Sequence, residues 1–234
     1  MSSPQLPTAE QIEMSLRAAR RWKAESELPD VVDLRDLCAR PDLAAAVVRD
    51  RRIRQTEPGR PRDFRYPKPS GAFRRTIAFD PYMETDYRLR VGQVVGCIES
   101  ELGDDVYRTR TNGHGPGWAT ANWRPSYKRM KAAIEYQRTL SGVAAEVSAD
   151  VENHYGSIRL DHLQGMLASA GVDDCSFAGL AELLGRLRSI PGLAGGLPVS
   201  VEASAPLGTV ALVGLDRRLR RPAIGSRGGW TIWC

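Results

Sequence analysis

Apolar positions recur at helical spacing along most of this chain. The N-terminal segment places Ile12, Leu16 and Ala19 on one face, and Thr8 with Gln11 forms a capping-box start ahead of them. The same periodicity predicts further helices at 31–38, 42–52, from before 86 to 102, 123–140, 160–170, 176–187 and from after 207 through 219. The pattern therefore predicts a chain rich in helices, with short strands in some of the stretches between them.

Turn-forming residues divide this helical pattern. A group of prolines and glycines at 58–69 interrupts it and predicts a domain boundary near residue 56. Farther along, Gly171 is expected to end one helix in the left-handed conformation, and Ser176 is expected to cap the next. Both helices carry an apolar face suited to packing on a sheet, which favours an α+β layer.

Composition changes this picture little. The chain has 234 residues, of which 42% are hydrophobic and 26% charged, with a net charge of +5, as in a soluble globular protein. The four cysteines lie far apart and the three histidines are isolated, so no structural zinc site is predicted: Cys38, Cys97, Cys175, Cys234, His114, His154 and His162. Without a signal peptide or an apolar run of 18 residues, we expect a cytoplasmic protein with reduced thiols and no membrane contact.

The positive charge is concentrated in one segment. Between Arg49 and Arg75 there are ten basic and three acidic residues. A cationic segment on a near-neutral body favours a polyanionic partner, with affinity that falls as salt rises. The alternative is a solvated, arginine-rich linker.

An acidic residue followed by an aromatic one supplies the first candidate chemistry. The stretch 149–158 reads ADVENHYGSI. Asp150 comes at the end of an apolar run, and Tyr155 follows it five positions later. An Asp at the end of a strand can hold a divalent cation, and a backbone that turns away behind it brings Tyr155 over the activated group. The alternative is a strand-to-helix turn in which Asp150 caps the helix.

A basic hairpin is the second candidate. Residues 66–79 contain a Pro/Ser/Gly turn between two extended pieces, flanked by Lys68, Arg74 and Arg75. Three cations on a hairpin could grip a triphosphate, because Arg offers forked donors and Lys a compact charge. A surface hairpin with basic decoration is the alternative. By contrast, the glycine-rich loop 112–117 lacks the P-loop spacing, so we predict no phosphate cradle there.

A third stretch, 196–207, is a glycine and proline turn that feeds a small-residue helix. Its sequence is GLPVSVEASAPL. Such a turn allows the backbone to approach a planar ligand closely, as a templated base pair requires.

In their order along the chain (66–79, 149–158, 196–207), the three stretches resemble reverse transcriptases of the bacterial retron and group II intron type. The 149–158 stretch is similar to motif A, the 66–79 hairpin to the first conserved block of the fingers, and 196–207 to motif B, ending near Leu215-Asp216. The resemblance covers some two thirds of the chain. Two departures are Ser200, where a glycine is usual, and Val199, where many relatives have glutamine.

The resemblance implies roles for particular residues. Asp150 would be the catalytic metal ligand, with Val151 beside it in the metal site, and the ion would be Mg²⁺ or Mn²⁺. Tyr155 would gate the sugar. The residues implied to contact the incoming nucleotide are Lys68, Arg74, Arg75, Val151 and Tyr155. Those implied to contact the template or nucleotide in motif B are Pro198, Val199 and Ser200.

The implied architecture is α+β: right-hand polymerase fingers and a partial palm behind an N-terminal helical extension. The boundaries would be 1–56 for the extension, 57–147 for the fingers, 148–220 for the partial palm and 221–234 for an aberrant tail. The implied partners are an RNA template with primer and deoxynucleoside triphosphates. Relatives of this type include retron, intron-encoded and phage-defence proteins.

The second half of the expected catalytic centre is missing. Two metal ions need more than one carboxylate, and the family's motif C, an aromatic-x-Asp-Asp hairpin, does not follow Asp216; a thumb is also absent from the prediction. The codons of 229–234 permit Val-Asp-Asp-Leu-Val in a shifted frame, so we hypothesise that a frameshift truncates the chain.

Three functions compete at this stage. The first is RNA-templated DNA synthesis by two-metal nucleotidyl transfer. The second is a catalytically inactive remnant that binds RNA through the Arg49–Arg75 segment. The third is a non-functional product whose uncovered apolar helices aggregate.

Overall fold

The computed structural model describes residues 6–25, 34–54, 61–67, 71, 73–103, 106–107, 109–140, 151–188, 196–199 and 201–220, so the expected tail at 221–234 lies outside them. The helices are α1 (Ala9–Glu25), α2 (Leu34–Ala39), α3 (Pro41–Arg54), α4 (Pro81–Ser100), α5 (Trp123–Arg138), α6 (His154–Ser157), α7 (Leu160–Ser169), α8 (Asp174–Arg188), α9 (Ser204–Ala211) and α10 (Val213–Arg220). The strands are β1 (Arg62–Pro67), β2 (Phe73–Ala78), β3 (Thr111–Asn112) and β4 (Ala119–Thr120), and a 3-10 turn spans Gly115–Gly117.

Helix α4 is the centre of the fold. Asp80 caps its start by accepting hydrogen bonds from the backbone nitrogens of Tyr82 (3.1 Å) and Met83 (3.2 Å), next to a proline at its first position. It packs against α1, α3, α7, α8, α9 and the 3-10 turn. Because neighbours surround it, α4 is buried on nearly every side, and Val91, Val94 and Ile98 have no exposed surface.

The N-terminal helices form a small core of their own on one side of α4. The predicted capping box is confirmed: the Thr8 nitrogen donates to Gln11 Oε1 (2.9 Å), and the Gln11 nitrogen donates to Thr8 Oγ1 (3.2 Å). Apolar residues of α1, α2 and α3 cluster with Leu89 of α4. Arg52 of α3 also pairs with Asp86, so both apolar and ionic contacts join these helices to α4.

The glycine-rich loop has a packing role. At Gly92 of α4, a β-carbon would meet the carbonyl of Gly115 and lie 3.0 Å from Trp118 Cδ1. At Gly117, a β-carbon would lie 2.8 Å from Met14 Cε of α1. Glycines on both sides therefore let the 3-10 turn lie between α1 and α4.

Helices α7 and α8 meet at a capped turn. Gly171 has φ +83°, which confirms the predicted left-handed end of α7. The prediction that Ser176 caps α8 is wrong: α8 starts at Asp174, and Asp173 accepts hydrogen bonds from the Ser176 nitrogen (2.9 Å) and hydroxyl (2.7 Å). The Asp173 carboxylate, three residues before Ser176, therefore takes the capping role at the start of α8.

The single helix predicted through 219 is also wrong, because the segment forms two helices. The Leu212 nitrogen donates to the Thr209 carbonyl at 3.2 Å, a tightened last turn that ends α9. Helix α10 then begins at Val213.

Strands are few among the described residues. Backbone hydrogen bonds pair β1 with β2 and β3 with β4, and both pairs are antiparallel. The predicted hairpin is confirmed, with Arg65 opposite Arg75 and Tyr66 opposite Arg74. A mostly helical chain with small antiparallel sheets is compatible with the α+β class. Over the same residues, no helix has the length and apolar character that crossing a membrane would need.

Candidate functional site

Segments from three distant parts of the sequence meet in one place. We call residues 151–158 the Tyr155 segment and residues 196–207 the Gly196 segment. Hairpin strand β2 is the third. Asp150, Lys68 and Ser200 lie outside the described residues, as do the side chains of Arg74 and Arg75, whose backbone lies in β2.

The Tyr155 segment forms a sharp turn. The half-buried Val151 precedes it, and Asn153 has a left-handed backbone (φ 47°, ψ 41°) that starts the short helix α6. Asn tolerates this conformation better than most residues because its short polar side chain can bond locally. The Ser157 nitrogen and hydroxyl both donate to the Asn153 carbonyl at 3.0 Å, which closes the turn.

A backbone hydrogen bond joins the Tyr155 and Gly196 segments. The Leu197 nitrogen donates to the Tyr155 carbonyl at 2.8 Å. Gly196 has φ +73°, and a β-carbon there would meet the Tyr155 carbonyl and lie 2.6 Å from Gly156 Cα. Only a glycine permits both this φ and this approach without strain.

The side chains of the Tyr155 segment complete the contact with α9. A β-carbon at Gly208 would lie 2.8 Å from Tyr155 Cε1, so the half-buried tyrosine ring lies directly on the α9 backbone. His154 Nε2 lies 3.2 Å from the Gly208 carbonyl, and His162 Nε2 lies 2.9 Å from that of Ala211. These two histidines therefore contact the α9 backbone through their ring nitrogens.

The basic hairpin reaches the same place through its second strand. The Ile77 nitrogen donates to the Val199 carbonyl at 3.3 Å. Val199 is half-buried and Pro198 is buried. The Gly196 segment thus lies between the hairpin and Tyr155, which brings together described parts of all three stretches singled out from the sequence.

Behind the Gly196 segment lies a buried ion pair that the sequence analysis missed. Arg88 of α4 is 0% exposed and donates to Glu202, which is 2% exposed. Glu202 Oε1 also accepts from the Thr120 nitrogen (2.8 Å) and hydroxyl (3.0 Å). Burial lowers the pKa of the Arg88 guanidinium from its usual value, while the adjacent Glu202 carboxylate opposes that shift.

Trp118 encloses the same guanidinium. Arg88 donates to the Trp118 carbonyl at 2.5 Å, the Trp118 indole N–H donates to the Arg88 carbonyl at 2.9 Å, and the guanidinium carbon lies 4.5 Å from the ring centroid. The only sequence signal for this network was a charged residue at 88 inside the apolar pattern of α4.

A neighbouring residue of α4 makes a second polar contact with this region. Tyr87 is fully buried, and its hydroxyl lies 3.1 Å from Ser204 Oγ at the start of α9. Burial raises the pKa of the Tyr87 phenol well above its usual value, so it stays neutral. Arg88 and Tyr87 together fix both ends of the 202–204 turn against α4.

Part of the cationic Arg49–Arg75 segment is neutralised within the protein. Arg51 bonds both oxygens of Asp80 (2.9 and 3.0 Å), Arg52 pairs with Asp86, and Arg54 bonds Asp50 at 2.6 Å. Arg49 donates to the Pro7 carbonyl at 2.6 Å. Arg51 and Arg52 therefore join α3 to the start of α4, whereas Arg54 makes an exposed pair within α3. The α3 part of the segment is thus neither a solvated linker nor a free polyanion site.

Comparisons with known proteins give no family for this chain. No protein-family model, curated protein or solved structure matches it. Over the residues that the structure describes, no group of three or more His, Cys, Asp or Glu side chains could hold a metal ion. A proposal for the function therefore has to be argued mainly from the contacts among β2, Tyr155 and the Gly196 segment.

Proposed function

We propose that this chain forms the fingers and part of the palm of a reverse-transcriptase-family polymerase. The observation that supports this is the meeting of three stretches that were selected from sequence alone. The Leu197 nitrogen donates to the Tyr155 carbonyl and the Ile77 nitrogen to the Val199 carbonyl, so the hairpin, Tyr155 and the Gly196 segment are in contact. The resemblance implies that these three stretches lie side by side around the incoming nucleotide.

The proposed roles follow the three stretches. Lys68, Arg74 and Arg75 bind the triphosphate, and Tyr155 lies beside the sugar. Val199 and Ser200 lie under the templated base, and the buried Pro198 supports the turn that carries them. Asp150 and Val151 would hold Mg²⁺ or Mn²⁺, which would stabilise charge on the transferred phosphate. One carboxylate cannot hold two ions, so a two-metal mechanism would need further carboxylates beside Asp150.

RNA-templated primer extension tests this function directly. The wild-type chain is incubated with an RNA template, a DNA primer, deoxynucleoside triphosphates and Mg²⁺, in parallel with Asp150→Asn. Asp161→Asn is the matched control, because Asp161 is an exposed carboxylate on α7 that pairs with Arg159. We expect incorporation by the wild type and the control, and its loss in Asp150→Asn. Equal incorporation by all three would remove Asp150 from the mechanism.

A second candidate is an RNA-binding protein without synthetic activity. The exposed Arg62 and Arg65 of strand β1 favour it, because cations at a surface attract a polyanion. It predicts no incorporation by any variant, together with RNA binding that weakens with salt and survives Asp150→Asn. Binding that stays constant from low to high salt would exclude it.

A further inference from the structure

Helix α5 carries aromatic and basic side chains along one face. Trp123 is 63% exposed, and it contacts the half-buried Tyr127 edge-on with ring centroids 5.8 Å apart. The Lys131 ammonium lies 4.9 Å from the Tyr127 ring centroid. Arg124 and Lys128 are also exposed, one row farther around the helix. We call these five residues the α5 stripe.

The α5 stripe does not include the two buried residues of the helix. The buried residues of α5 are Ser126 and Met130, and their side is turned about 110° around the helix from the centre of the stripe. Over the described part of the chain, no carboxylate is paired with Arg124, Lys128 or Lys131, whereas the α3 residues Arg51, Arg52 and Arg54 all have acidic partners. The stripe therefore presents three positive charges beside two rings.

Alternating rings and cations match the chemistry of a single nucleic-acid strand. Unpaired bases expose flat faces that stack on Trp and Tyr, and the phosphates between them attract Lys and Arg. The stripe extends over about 12 Å at 1.5 Å per residue, which accommodates a few nucleotides. A duplex would offer phosphates to the cations but no base faces to the rings, because its bases are already stacked on one another.

We propose that the α5 stripe is a docking surface for single-stranded RNA. The choice of RNA over DNA rests on the proposed function, in which the template is RNA and its unpaired part is single-stranded. On this proposal the α5 stripe holds the template strand by stacking on its rings and by attraction to its cations.

The probe is a 12-nucleotide oligouridine with a fluorescent label, and binding is followed by anisotropy across a potassium chloride series. The same length of oligodeoxyuridine and a blunt RNA duplex are measured in parallel. We expect the single-stranded RNA to bind most tightly. A duplex that binds as tightly would overturn stacking, and tighter DNA binding would overturn the assignment to RNA.

Two variants divide the stripe into its components. The double variant Trp123→Ala with Tyr127→Ala should weaken RNA binding by about tenfold or more, since stacked bases lose their platforms. Its matched control is Tyr136→Ala, because Tyr136 is 67% exposed on the same helix but lies on the opposite side from Tyr127. Loss of binding in the control equal to that in the double variant would refute the stripe.

The cationic variant Lys128→Gln with Lys131→Gln changes only exposed side chains and keeps the rings. Each phosphate contact contributes about 0.7 to the salt slope for single strands, so this variant should flatten the slope by about 1.4. An unchanged slope would overturn the proposal even if the aromatic variant failed to fold.

The two proposals can fail independently. Asp150 is intact in every α5 variant, so primer extension by the wild type judges the proposed function alone. RNA binding that depends on the stripe without any incorporation would leave the docking surface standing. Incorporation together with wild-type RNA affinity in both α5 variants would reject only the docking surface.

Discussion

The junction between the Tyr155 and Gly196 segments makes a quantitative prediction for Gly196→Ala. Two costs add at this position. A left-handed backbone costs a residue with a β-carbon about 1–2 kcal/mol. The new methyl would also lie 2.6 Å from Gly156 Cα and against the Tyr155 carbonyl, and overpacking of this kind costs about 1–3 kcal/mol. We therefore expect a loss of about 2–5 kcal/mol in the free energy of unfolding.

Gly171→Ala is the matched control for this substitution. Gly171 has φ +83°, but a β-carbon there would meet nothing within 4 Å. It should lose only the backbone cost, about 1–2 kcal/mol. The difference between the two variants isolates the close approach at the junction.

Urea unfolding, followed by circular dichroism, measures both variants. At a slope of about 2 kcal/mol per molar urea, Gly196→Ala should lower the midpoint by about 1–2.5 M. If its loss is no larger than that of Gly171→Ala, the Tyr155 carbonyl does not lie against Gly196, and the junction is not formed as described.

Three further predictions concern the surroundings of the junction. Gly208→Ala should destabilise the protein by about 1–2 kcal/mol in thermal or urea unfolding, because the methyl would press on the Tyr155 ring at 2.8 Å. Glu202→Gln should cost about 3–5 kcal/mol, since a buried guanidinium loses its counter-charge. Ser176→Ala should raise the pKa of Asp173, measured by NMR titration, because the Ser176 hydroxyl and N–H hold that pKa below its usual value.

Each of these has a control or a contradicting result. The control for Gly208→Ala is Gly165→Ala in α7, where a β-carbon meets nothing within 4 Å; it should stabilise the protein by about 0.5–1 kcal/mol. An equal gain from Gly208→Ala would show that the Tyr155 ring does not lie against α9. The control for Glu202→Gln is Asp50→Asn, which breaks the exposed Arg54–Asp50 pair and should change the free energy of unfolding by less than about 0.5 kcal/mol. Because the folded pKa of Asp173 is lowered, its contribution is complete above pH 3.8 and is lost as pH falls through the folded value; a Ser176→Ala variant with the same acid unfolding would contradict this.

Local features of the fold could be predicted from the sequence because they depend on neighbouring residues. The Thr8–Gln11 capping box and the left-handed Gly171 are both set within a few residues. The cap of α8 was misassigned because Asp173 and Ser176 are both good capping types, and the pattern alone does not decide between them.

Long-range partners could not be predicted in the same way. The apolar periodicity of α4 places residue 88 in a helix but says nothing of Glu202, and nothing local to Glu202 indicates a buried ion pair. The sequence selected Tyr155, Pro198 and Val199 one stretch at a time, whereas their proximity depends on how α4, α7 and α9 pack. The α5 rings are equally hard to foresee at a surface, because periodicity alone assigns aromatic residues to a core.

The buried Arg88–Glu202 pair also constrains how the chain is made. Arg88 and Tyr87 find their partners 114 and 117 residues later in the sequence. At about 5–20 residues per second, Tyr87 and Arg88 are synthesised roughly 6–23 s before those partners. During that interval the guanidinium is hydrated, and α4 lacks the α9 surface that covers it in the finished protein. Substitutions at this pair should therefore reduce the yield of folded chain in cells as well as its stability once folded.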